Sequence, residues 1–112
     1  MSRPDKVLSL LGLAMKAGKV ASGETAAENA VKSGKAYLVI VANDASDNTR
    51  KHFSDMCVFR DIPFIQYSDK ENLGRAIGKD LRSNLAVTDS GFADAIIKQV
   101  GEMDLSERSG NK

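Results

Sequence analysis

Asp44 and Asp89 each stand just behind an apolar run, and the chain carries one histidine, His52, and one cysteine, Cys57. Two carboxylates brought together could divide acid and base work, and a neighbouring imidazole could serve as the base. The spacing supports neither arrangement. His52 lies among Arg50, Lys51 and Phe53 on a predicted helix, as an exposed side chain. No second histidine or clustered cysteines complete a metal set. Ser46, Ser68 and Ser90 stand where helix caps are expected, and none occupies a G-x-S-x-G elbow. The letters of "GLAMKAGK" suggest a phosphate loop, but they lie in and after a helix with no strand before them. Asp44 and Asp89 also have a structural use, since a short carboxylate beside a helix N-terminus accepts from its exposed amides. These residues predict no enzyme, no cofactor and no metal.

Binding chemistry fits better. Three strand-to-helix or strand-end junctions, at residues 22–25, 43–46 and 87–91, carry small or polar side chains. If the strands run in a common direction, such ends gather at one edge of a sheet. Helix N-termini there would offer N–H groups to phosphates, and Asn43 could present a donor and an acceptor to a base edge. Glycine allows a backbone to approach a sugar-phosphate chain closely. Lys16, Lys19 and Lys51 could neutralise the flanks. Turns capped for structural reasons alone would carry the same residues. Charge is uneven: through residue 35 the bases Arg3, Lys6, Lys16, Lys19, Lys32 and Lys35 face the acids Asp5, Glu24 and Glu28. Such a bias can mark a surface for a polyanion.

The elements that would position these groups alternate in period. "DKVLSLLGLAMK" places Leu8, Leu11 and Met15 on a helical stripe, with Val7 and Ala14 beside it. "GKVAS" reads as a brief edge strand. "ETAAENAVKS" carries Ala27, Ala30 and Val31 at helical spacing and stops at Gly34. "YLVIVA" is too short for periodicity to decide, but its β-branched content predicts a central strand covered on both faces. A helix headed by Ser46 follows, with Phe53, Met56 and Cys57 on its apolar side. "IPFIQY" reads as a strand with Pro63 near its start. Ser68 and Glu71 have the spacing of a capping box for the next helix. "NLAVT" is a further strand, and "DSGFADAIIKQV" a helix stopping at Gly101. Short strands between helices imply a three-layer α/β/α sandwich. The chain of 112 residues reads as one domain over residues 1–101 with a flexible tail over 102–112. Its lone cysteine suits a reducing, cytoplasmic setting, and no apolar run spans a bilayer.

The segment "ASGETAAENAVKSGKAYLVIVANDAS" resembles the signature region of the L7Ae/L30e/S12e/Gadd45 family of RNA-binding ribosomal proteins. The likeness extends to "LLGLAMKAGKVASG", "IPFI", "LGRAIGK" and "LAVTDSGFADAI", nearly the whole chain. It implies a mostly four-stranded mixed sheet and a structured RNA partner, ribosomal or another non-coding RNA, such as a kink-turn or related internal loop. It also implies that Gly23, Glu24 and Thr25 approach the RNA, with Glu28 one turn further on. Asn43, Asp44, Ala45 and Ser46 would continue the surface, and Lys51 would lie near a phosphate. Val87, Thr88, Asp89 and Ser90 would close the other side against an unstacked nucleotide. Archaeal kink-turn binders carry G-x-N-E-x-x-K at this helix start. Here Thr25, Ala26 and Asn29 occupy the Asn, Glu and Lys positions, which implies a changed readout. The expected protein is a monomer; the alternative is a protein-interaction module on the same fold.

Overall fold

A computed structural model describes residues 5–110, with side chains described through residue 102. Helix α1, Lys6–Lys16, begins at Asp5, whose Oδ1 accepts from the Leu8 amide at 3.0 Å. Its buried stripe is Val7, Leu11 and Ala14, while Leu8 and Met15 flank it half-buried. The stripe is thus shifted by one residue from the expected one. Strand β1, Val20–Ser22, leads into helix α2, Glu24–Lys32, which ends at Ser33 with Gly34 in the left-handed conformation at φ 76°. Strand β2 is Leu38–Val41, helix α3 is Asp47–Arg60, and strand β3 is Phe64–Gln66. Helix α4, Lys70–Ala76, strand β4, Asn84–Val87, and helix α5, Ser90–Gly110, complete the order.

Two of the three serines expected as caps do not cap, and Asp89 has the structural use expected of it. Asp69, not Ser68, caps α4 by accepting from the Asn72 amide at 2.7 Å. Asp89 does the same for α5, accepting from the Phe92 amide at 2.9 Å, so Ser90 is already helical. A carboxylate adds charge attraction to the helix dipole that a hydroxyl lacks. Ser46 is the cap expected for α3, with its Oγ 3.1 Å from the Thr49 amide. Gly101 does not stop α5. An interior glycine costs only about 1 kcal/mol against alanine, which the following helix-favouring residues offset. Of the segment read as a tail, residues 102–110 continue this helix, and 111–112 lie outside the described residues.

The four strands pair in the order β1-β4-β2-β3. Strand β4 runs antiparallel to both β1 and β2, whereas β2 and β3 are parallel. Every residue of β2 and β4 is buried, and Leu38, Ile40 and Leu85 are wholly so. Burying one such side chain stabilises the fold by about 1.5–3 kcal/mol, so the two central strands dominate the core. Helices α2 and α3 pack on one face, α2 against β1 and β4 and α3 against β2 and β3. Helix α1 contacts both α4 and α5 on the other, giving the expected three-layer α/β/α sandwich around a mixed sheet.

Strand direction sorts the loops. Ser22 pairs with Leu85 and Val41 with Asn84, so β1 and β2 end where β4 begins. Val20 and Leu38 both pair with Val87, so they begin where β4 ends. The first margin is called the near edge below, the second the far edge. At about 3.3 Å per residue, the four steps from Lys19 to Gly23 separate them by roughly 13 Å.

Candidate nucleic-acid interface

Gly23 caps α2 with no side chain, at φ 92° and ψ 158°. Its amide donates to the Asn84 carbonyl at 3.3 Å, tying the helix start to β4. A Cβ placed on Gly23 would meet nothing within 4 Å, so the space above it is open. Glu24, Thr25 and Ala26 are exposed on the first turn. Without a capping side chain, first-turn N–H groups face outward and favour an anion.

Beside it, the Asn43 amide donates to the Ser68 carbonyl at 2.8 Å, while the Asn43 side chain is exposed. Asp44 Oδ1 accepts from the Lys70 amide at 2.9 Å, so this carboxylate secures the start of α4. Ala45 is buried and Ser46 caps α3. Lys51 is exposed one turn into α3 and pairs with Asp55 at 3.4 Å. Glu28 meets Lys32 at 3.0 Å and His52 at 3.5 Å, bridging α2 to α3. The hydrogen bond from Lys32 holds the Glu28 carboxyl below its ordinary value, with the charges of Lys32 and His52 adding to it. His52 is therefore exposed, as expected, but linked to Glu28.

A segment that the sequence reading passed over reaches the near edge as well. After α4 the chain turns at Gly78, φ 72°, and doubles back along the helix. The Lys79 amide donates to the Gly74 carbonyl at 2.8 Å and the Arg82 amide to the Lys70 carbonyl at 3.0 Å. The Ser83 carbonyl then accepts from the Ala42 amide at 2.9 Å, and Arg82 Nε lies 3.4 Å from Ser22 Oγ. Lys79 and Arg82 thus accompany the exposed side chain of Leu81, 60% accessible, on a loop beside Gly23 and Asn43. A glycine followed by two cations before a strand was the available signal. Behind them Asn84 is buried at 1% exposure, with an Oδ1 that finds no partner among the described residues.

The third expected junction is elsewhere. The Thr88 amide donates to the Lys19 carbonyl at 2.8 Å, which puts Thr88, Asp89 and Ser90 on the far edge with Lys19. Lys16, at the end of α1, precedes the start of β1 and belongs to the same side. Val87 is wholly buried between β1 and β2. The condition of one common strand direction is not met, since β4 is the antiparallel member of the expected mixed sheet, and that reversal separates this loop from Gly23 and Asn43. Asp44 and Asp89 are accordingly on opposite edges, each occupied at a helix start. No group of three or more metal-binding side chains occurs among the described residues. Nor is any described helix long and apolar enough to cross a membrane.

Residues 5–97 match the model of the ribosomal protein L7Ae/L30e/S12e/Gadd45 family. The chain belongs to this family. Among L7Ae/L30e/S12e/Gadd45 relatives it is similar to RNA-binding protein YlxQ of Bacillus subtilis (strain 168), 43% identical over 88 residues, covering 79% of this chain and 88% of that one. It is also similar to large ribosomal subunit protein eL8 of Cenarchaeum symbiosum (strain A), 33% identical over 95 residues, covering 84% and 75%. A solved structure of a Bacillus halodurans protein of unknown function superposes with TM-score 0.85 at 38% identity, covering 88% of this chain and 99% of that one.

Proposed function

We propose that the protein is a cytoplasmic, monomeric, non-enzymatic RNA-binding module whose near edge takes a structured RNA, a kink-turn or related internal loop of ribosomal or other non-coding RNA. One observation carries the reading: the uncapped start of α2, the exposed Asn43 and the cationic loop of residues 78–83 share one edge, with open space over Gly23. The names of the relatives, an RNA-binding protein and a ribosomal protein, agree with it. Phosphates would meet the first-turn amides of α2, Lys79, Arg82 and Lys51, and Leu81 would pack against an unstacked base. RNA recognition commonly targets such unpaired loops, since the deep groove of an A-form helix hides its bases. Thr25 offers one hydroxyl where an asparagine would offer a two-pronged edge, so shape and phosphate contacts carry more of the affinity.

The test is a titration of a duplex with a tandem G·A internal loop against the same duplex fully paired. The looped RNA is expected to bind more tightly, and Lys79→Ala with Arg82→Ala to weaken it and reduce its salt slope by roughly 0.9 per cation. Equal affinity for both duplexes, or an unchanged slope, overturns the reading. The protein-interaction alternative is favoured by one feature, the exposure of Val58 and Phe59 on α3 at 78% and 85%. Ribosome co-sedimentation and RNA crosslinking from cells separate the two readings.

A further inference from the structure

The far edge carries a repeated device. Helices α1 and α2 both end in the sequence Lys, small residue, Gly, Lys: "KAGK" at residues 16–19 and "KSGK" at residues 32–35. In both, the glycine is left-handed, at φ 74° for Gly18 and 76° for Gly34. The second lysine amide reaches back to close the turn, Lys19 to the Ala14 carbonyl at 2.9 Å and Lys35 to the Ala30 carbonyl at 2.9 Å. The glycine amides bond Met15 at 3.0 Å and Val31 at 3.2 Å, completing two matched Schellman turns. Each turn feeds a strand beside β4, since β1 and β2 are its two neighbours. Lys19 and Tyr37 therefore stand on either side of the end of β4, about two strand spacings or roughly 10 Å apart, with Lys35 two residues before Tyr37.

Attraction to helix C-termini accounts for Lys16, Lys32 and Arg60, which occupy the last turns of α1, α2 and α3. It does not account for Lys19 and Lys35, which lie past the helices, are exposed, and form no ion pair among the described residues. Two residues after Lys35, and across the end of β4 from Lys19, the Tyr37 amide donates to the Val87 carbonyl at 2.8 Å, while Tyr37 is 49% exposed and its hydroxyl has no partner among the described residues. Of the acids at this edge, the Asp89 carboxylate is engaged with the Phe92 amide, and Asp61 ends α3. An exposed aromatic residue on an edge with free cations suits single-stranded nucleic acid, the ring stacking a base and the cations following the backbone.

We propose that this edge is a second RNA surface, taking an unpaired strand with Tyr37 as stacking platform and Lys19 and Lys35 as phosphate contacts. It rests on the proposed function only for the choice of RNA as the polyanion, and the protein could hold a folded loop on one edge and a flanking strand on the other.

The probe is a 15-nucleotide oligouridine, followed by fluorescence anisotropy with the full chain. Tyr37→Ala is expected to weaken binding about tenfold, and Tyr37→Phe to restore it, because the ring and not the hydroxyl stacks. Lys19→Ala with Lys35→Ala should lower the salt slope by about 0.7 per lysine. Lys79→Ala with Arg82→Ala should leave oligouridine binding intact while weakening the looped duplex. Absence of oligouridine binding at low salt overturns the proposal, as does loss through the near-edge pair alone. Heparin binding that matches oligouridine and ignores Tyr37→Ala also overturns it, since the surface would then be a generic anion patch. Failure of the looped duplex alone refutes the near-edge reading and not this one.

Discussion

Gly74→Ala sets two rules against each other. Gly74 is inside α4, where alanine is normally better by about 0.8–1.0 kcal/mol. A Cβ at Gly74, however, would lie 1.5 Å from the Asp80 carbonyl oxygen, 2.6 Å from its carbon and 3.2 Å from the Lys79 oxygen. All three atoms are backbone, so no rotamer change relieves the clash, and the returning segment has to move by more than an ångström. That movement endangers the hydrogen bonds from Lys79 to Gly74 at 2.8 Å and from Arg82 to Lys70 at 3.0 Å. Overpacking typically costs about 1–3 kcal/mol and each lost hydrogen bond about 1 kcal/mol. Against a gain of about 1 kcal/mol, the net expectation is a destabilisation of about 2–4 kcal/mol.

Gly101→Ala is the matched control. It lies in α5 with nothing within 4 Å of the added methyl, so only propensity acts. It should stabilise by up to about 1 kcal/mol. Urea unfolding followed by circular dichroism measures both. The pair is expected to differ in sign. If Gly74→Ala matches or exceeds the wild type, the loop does not fold back on α4 as described, and the placement of Arg82 at the near edge loses its basis. In a fold that survives the change, Gly74→Ala should also weaken the looped duplex, because Lys79, Leu81 and Arg82 all ride on that segment.

Burial pushes the Cys57 thiol up from 9.0 to about 11. Between those values an unfolded chain loses the proton that the folded one keeps, so stability falls as pH rises, by on the order of 2 kcal/mol. The stability difference between wild type and Cys57→Ala should therefore shrink from pH 8 to pH 11, and a constant difference across that range contradicts the burial argument. Asp44→Ala should cost about 1 kcal/mol through the lost bond to the Lys70 amide, with little change in salt slope; a full loss of RNA binding in a stable variant would show that Asp44 contacts RNA instead. Thr25→Asn, Ala26→Glu and Asn29→Lys together restore the archaeal pattern on exposed positions of α2. A bidentate reader contributes about 1–3 kcal/mol of discrimination. The triple variant should thus prefer tandem G·A to G·C in the loop by at least fivefold more than wild type, and an unchanged preference means α2 does not face those pairs.

The layers were legible because burial leaves a periodic trace. Leu38, Val39, Ile40 and Val41 are apolar without alternation because helices cover both faces of β2. Ala27, Ala30 and Val31 are small because α2 lies directly on β1 and β4. Both facts are local, one residue and its immediate cover. Strand direction is different in kind. Asn84, Leu85, Ala86 and Val87 would be buried in the same way whether β4 ran with β2 or against it. Nothing in their side chains records the choice.

The choice is made by the connection. Residues 77–83 fold back along α4, so β4 is entered at the edge where β2 and β3 end. The pivot is Gly74, whose missing side chain lets the Asp80 and Lys79 carbonyls lie against α4. Its close approach to Asp80 is a tertiary fact that one chain's spacing does not carry. With the direction of β4 reversed, the cation near Gly23 becomes Arg82, with Lys79 earlier on the same returning loop, and Lys19 moves to the margin it shares with Lys35 and Tyr37. Of the bases that make the first 35 residues cationic, Lys16, Lys19, Lys32 and Lys35 gather at the far edge, whereas Lys79 and Arg82 come from the other half of the chain. The two edges lie roughly 13 Å apart, with exposed Tyr37 on the far one and Leu81 on the loop that returns to the near one. A protein that touched RNA with only one edge would have no use for the second pairing, and the oligouridine and looped-duplex titrations should respond to separate substitutions for that reason.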